Sequence, residues 1–113
     1  MRTMRAALLT SLVAASLAAA SSTHAQLSPP IDIVVQNGQF LPATITVPVD
    51  SPFVLRVKNL DPNPVEFASA MLRVDRLISP NTSVYIQIGN LQAGRYTFND
   101  VARSQTHGVL IAQ

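Results

Sequence analysis

The chain has 113 residues, enough for one domain and not two. It has no cysteine, which excludes disulfide staples and thiolate chemistry. Eight Lys and Arg stand against six Asp and Glu, but Arg2 and Arg5 lie in a leader-like segment; without them the charges balance, and a nucleic-acid footprint is excluded.

The leader comes first. Arg2 and Arg5 precede an apolar, small-residue run from Ala6 to Ala20, and Ser21-Ser22-Thr23-His24-Ala25 is polar and ends small-x-small. That pattern predicts a secretory signal peptide, residues 1–25, cleaved after Ala25; cleavage after Ala20 is a weaker fit. The run is too short and too rich in alanine for a spanning helix, which needs ~20 mostly apolar residues. The mature domain is then residues 26–113, expected in the periplasm. With no disulfide, its core alone must hold it.

Gln26 to Pro30 reads as a polar lead-in. Ile31–Val35 is rich in β-branched residues and predicts a strand. Gln36-Asn37-Gly38-Gln39 is a turn, because Asn-Gly tolerates positive φ. Phe40-Leu41 enters a strand that Pro42 interrupts, which puts this stretch at an edge or a bend. Ala43–Val47 alternates, with Ile45 and Val47 on one side and Thr44 and Thr46 on the other. Pro48–Pro52 connects. Phe53, Leu55 and Val57 alternate with Val54, Arg56 and Lys58, so the first three are expected in the core.

Asn59–Asn63 is a loop by its Asn, Asp and Pro content. Val65–Arg76 carries two signals. Phe67, Ala70, Met71 and Val74 have helical spacing, which predicts at most a short helical turn within residues 66–72, near Ala68–Leu72, followed by a strand around Arg73–Ile78. Ser79–Thr82 turns. Ser83–Gly89 alternates as a strand, Leu91–Gly94 turns, and Arg95–Phe98 is a strand. Asn99–Thr106 reads as a polar loop, and Gly108–Ala112 as the last strand. About seven short strands, each bounded by turn residues, predict an all-β, antiparallel Greek-key β-sandwich.

Chemistry-bearing groups are few. No nucleophile with its base and no phosphate-binding loop stands out, so an enzyme is not expected. Tyr85 and Tyr96 occupy strand positions and read as packed residues. Two segments, Asn59–Met71 and Asn99–His107, are expected to meet at one end of the sandwich, where such folds carry their sites. They hold Glu66, Met71, Asp100 and His107, the groups able to ligate a metal. Imidazole and thioether suit copper; carboxylate with imidazole suits copper, zinc or iron. Each also has an ordinary structural use. Met71 could fill core space, Glu66 could cap a loop, and Asp100 could brace its own turn. His107 has the strongest claim of the four. A blue-copper centre is excluded, because it needs a thiolate and two imidazoles, and past the leader His107 is the only histidine.

Several runs carry a resemblance: F-L-P-A-T-I-T-V-P from Phe40, P-F-V-L-R-V-K-N-L-D from Pro52, P-V-E-F-A-S from Pro64, I-G-N-L-Q-A-G-R-Y-T-F from Ile88 and G-V-L-I-A from Gly108. On these the chain resembles the small periplasmic cupredoxin-like domains associated with bacterial high-affinity iron uptake, EfeO-type proteins among them. The resemblance implies a cupredoxin sandwich in the periplasm that binds copper or iron and acts beside an iron permease. Glu66 and Asp75 match the family pattern by position. Ala68 stands where the family has a second acidic residue, and Val101-Ala102 where it has an aromatic followed by a His. The expected function is therefore metal binding, copper first and iron second, in support of uptake. The alternative is a metal-free cupredoxin-fold module that docks on a permease or oxidoreductase partner.

Overall fold

A computed structural model describes residues 28–113; the expected signal peptide lies outside the described residues. Nine strands follow one another: β1 Ile31–Gln36, β2 Gln39–Leu41, β3 Thr44–Val47, β4 Phe53–Asn59, β5 Val65–Ser69, β6 Val74–Ile78, β7 Thr82–Ile88, β8 Gly94–Asp100 and β9 Arg103–Ala112. They form a four-stranded sheet in the order β2-β1-β4-β7 and a five-stranded sheet in the order β3-β9-β8-β5-β6. Two pairs, β1 with β4 and β3 with β9, are parallel; the others are antiparallel. The all-β sandwich holds, with both sheets mixed.

Period-two alternation decides which side chains fill the interior. Ile33 and Val35 of β1, Leu55 and Val57 of β4, Val65 and Phe67 of β5, and Phe98 of β8 are all buried. Phe40 from the smaller sheet packs on Phe67 and Phe98 from the larger, with ring centroids 5.7 and 5.1 Å away and both contacts near edge-to-face, a favoured aromatic geometry. Burying one such side chain stabilises the fold by roughly 1.5–3 kcal/mol.

Pro42 sits where its chemistry requires. It follows β2, the edge of one sheet, and precedes β3, the edge of the other, so it removes no ladder donor from a central strand. The Leu41–Pro42 bond is cis. The Asn37-Gly38 turn has φ of 54° and 69°, the paired positive values of a two-residue hairpin turn.

One expectation is corrected, and the room left for a short helical turn goes unused. No helical turn forms within residues 66–72. Val65, Phe67 and Ser69 alternate inward along β5, and the chain reverses over Ala70–Arg73, where Arg73 N donates to Ala70 O at 3.2 Å. The helical spacing was incidental, since Ala70 and Met71 are exposed; a turn of helix would have pulled Phe67 out of the aromatic cluster. Nor is Asn99–Thr106 a loop. It is a tight hairpin in which Asp100 faces Arg103 and β9 already begins at Arg103. Its polar residues hid a strand, because Gln105 and His107 face solvent while the buried Thr106 donates its hydroxyl to Gly38 O at 2.6 Å.

Candidate functional site

The β1–β2 turn, the β4–β5 connection and the β8–β9 hairpin meet at one end of the sandwich. Asp61, on the connection, binds them together. Its carboxylate accepts from Asn37 N at 2.6 Å and Gly38 N at 2.9 Å, and Arg103 Nη1 lies 3.6 Å away. A turn with two successive positive-φ residues aims both N–H groups one way, and a carboxylate satisfies the pair. Asn59 is fully buried beneath it. Its amide donates to Asn63 O at 2.8 Å and Ile78 O at 3.1 Å, and its oxygen accepts from Asp61 N at 2.9 Å. Among the described residues no buried side-chain nitrogen or oxygen lacks a partner. The buried polar groups of this end satisfy one another.

The sequence reading missed this clamp. Asn59 and Asp61 were legible only as loop formers. The signal that could have found them was the Asn37-Gly38 turn, whose free donors need an acceptor from elsewhere in the chain.

The two expected segments do meet: Val101 N donates to Glu66 O at 3.0 Å. Their side chains diverge, because neighbouring positions on a strand point to opposite faces. Asp100 points inward and is 1% exposed. Its Oδ1 accepts from Glu66 N at 3.1 Å and from Ala102 N at 3.2 Å, so it braces its own turn and ties that turn to β5. Glu66 points outward. Strand register sets Asp75 diagonally beside it on the same face, and the Asp75 carboxyl, as a hydrogen-bond partner and as a charge, pushes the Glu66 carboxyl above its ordinary range, with desolvation and the nearby Asp100 adding to it. Asp75 was reached at the sequence level only through the resemblance.

His107 lies elsewhere. It is exposed on the outer face of β9, opposite Asn99 on β8, and its Nδ1 is 3.0 Å from Gln105 O. With β8 between β9 and β5, it stands roughly 9–10 Å sideways from the Glu66 strand. Met71 is 56% exposed in the β5–β6 turn, beyond the Ser69 end of β5, whereas Asp100 pairs near the Glu66 end. The structure therefore joins Glu66 to Asp75 by side chains and to Asp100 by backbone. It does not bring His107 and Met71 into that group. Among the described residues no set of three or more His, Cys, Asp or Glu is placed to hold a metal ion. The copper expected from the sequence finds no soft centre here, since imidazole and thioether stand apart and thiolate is missing.

Residues 8–112 match the family model described as a cupredoxin-like domain. The chain is 27% identical over 82 residues to "Uncharacterized protein RP394" of Rickettsia prowazekii (strain Madrid E), a match covering 72% of this chain and 66% of that protein's length. Among solved structures, it is similar to the metal-binding domain of the Cu(I)-exporting P-type ATPase CopA of Streptococcus pneumoniae with Cu(I), at TM-score 0.68 and 16% identity over 74% of this chain and 84% of that one. A Cu(I) form of an amicyanin mutant follows at TM-score 0.62 and 12% identity, covering 79% and 88%. At such identities these likenesses speak for the fold alone. With the family model spanning almost the whole sequence and the two sheets in place, the chain belongs to the cupredoxin-like domain family.

Proposed function

We propose that this protein is an exported, periplasmic cupredoxin-fold module that serves metal uptake by docking on a partner, an iron permease or an oxidoreductase, and that it is neither an enzyme nor an electron carrier. One observation carries the reading: the groups able to ligate copper, His107 and Met71, stand on different parts of the five-stranded sheet, and neither belongs to the carboxyl group around Glu66. The loops at that end of the fold are meanwhile tied to one another by Asp61, Asn59 and Arg103.

A second reading has its own support. Glu66 and Asp75 are neighbouring carboxyls without a basic partner among the described ion pairs, and two carboxylates side by side are a minimal oxygen donor set. That set favours a hard ion, iron among them, over Cu(I). Metal content of the protein purified from the periplasm, followed by titration with Cu(I), Cu(II), Fe(II) and Fe(III), separates the readings. Docking without a resident metal predicts no stoichiometric site. A stoichiometric site lost in Glu66→Gln or Asp75→Asn establishes the second reading. A site lost in His107→Ala or Met71→Ala overturns both and restores copper as the cargo.

A further inference from the structure

The outer face of β5, β6 and the neighbouring hairpin has an unusual row. Strand register sets Leu77 on β6 opposite Glu66 on β5, and Val101 continues the line through its N–H bond to Glu66 O. Leu77 is 67% exposed and Val101 53%. Two apolar side chains thus flank the Glu66–Asp75 carboxyl pair on a surface open to water. Isolated exposed apolar residues need no explanation; apolar residues aligned about an unneutralised charge mark an interaction site. The alternative occupants are limited by charge. A second copy of this chain meeting face to face would set carboxyl against carboxyl. A purely apolar partner would desolvate the pair without compensation.

We propose that this face is the docking surface for a partner protein that presents a Lys or Arg side chain ringed by apolar residues. The cation enters between Glu66 and Asp75 and makes charge-assisted hydrogen bonds to both. Leu77 and Val101 cover the partner's apolar ring and exclude water from the ion pair, which is how charged anchors become strong at an interface centre. The inference rests on the docking reading and adds to it the place and the partner's chemistry.

The test is photo-crosslinking in the native cells, with a photoreactive amino acid in place of Leu77 in the full-length protein and, as the opposite-face control, in place of Tyr85. The expected result is an adduct from position 77 and not from 85, with a Lys- or Arg-containing peptide of the partner at the junction. Glu66→Lys or Asp75→Lys should cut its yield about tenfold or more, because like charges across an interface cost several kcal/mol, while EDTA leaves it unchanged. Melting curves of the variants check that the fold is intact. An adduct that forms equally from 85, that ignores the Lys substitutions, or that joins two copies of this chain overturns the surface. An adduct abolished by EDTA assigns the pair to a metal ion and overturns the basic partner. No adduct from 77 alongside a specific one from 85 overturns this surface while leaving the docking reading intact; no adduct from either position overturns both.

Discussion

On the outer face of the four-stranded sheet, Asp32 on β1, Arg56 on β4 and Tyr85 on β7 stand in one cross-strand row. The Arg56 guanidinium donates to both Asp32 oxygens, Nη2 at 2.7 Å. That bond holds the Asp32 carboxyl below its ordinary range and pushes Arg56 further up. On the outer face of the five-stranded sheet the equivalent row reads Leu77, Glu66, Val101, and the Glu66 carboxyl is pushed up by its acidic neighbours. Cross-strand neighbours decide what a surface charge can do. On the first face the row's one carboxylate is paired inside the chain, with Arg56. The second leaves charge and apolar area for something outside the chain.

The difference can be broken at its root first. Both faces hang on one interior, so Phe67→Ala, which empties the aromatic cluster beneath Glu66, should cost about 3–5 kcal/mol in a denaturant unfolding curve. A loss under 1 kcal/mol would mean the two sheets do not share that core. Next comes the brace behind the carboxyl pair. Asp100→Ala leaves the Glu66 and Ala102 N–H groups without their acceptor and should cost about 1–3 kcal/mol. It should also raise amide exchange at Glu66 and Ala102 before it does so at Asp32.

The smallest effect has a sign that separates the faces. A raised folded-state pKa means Glu66 contributes stability that is fully present below its ordinary value of 4.5 and lost as pH rises through the raised one. A lowered one means Asp32 contributes stability that is present above its ordinary value of 3.8 and lost as pH falls through the lowered one. Glu66→Gln should therefore flatten the fall in stability on the alkaline side of the carboxylate range. Asp32→Asn should flatten the fall on the acid side. Melting temperatures across that range read both. The same slope in both variants would show that the two faces do not differ.

Most of the architecture was legible in the sequence, for a plain reason. Ile33, Val35, Leu55, Val57, Ile86 and Ile88 repeat at period two, and that repeat is what the interior selects. Pro42 at an edge and Asn37-Gly38 at a turn were legible because a missing donor and a positive φ are local properties. Phe67 was blurred because one helical repeat and one strand repeat both pass through it, and only the aromatic cluster, a long-range contact, chooses between them. The candidate site was less legible still. Glu66, Asp100 and His107 were correctly assigned to neighbouring segments, but which face each side chain takes depends on where its strand begins, and β9 begins earlier than its polar composition suggests. Asp61 and Arg103 lie far apart in sequence, and nothing local to either announces the other.

The passage of Gln39–Val47 from one sheet to the other has a mechanical consequence. A single stretch of chain ends as the margin of the first layer and resumes as the margin of the second, while across the molecule β6 and β7, the opposite margins, lie against each other. The two layers are bound like a book sewn along both covers. Chain joins the layers at both margins, which opposes shear and sideways opening, and the top and bottom of the pages are where a breathing motion that admits solvent meets least resistance.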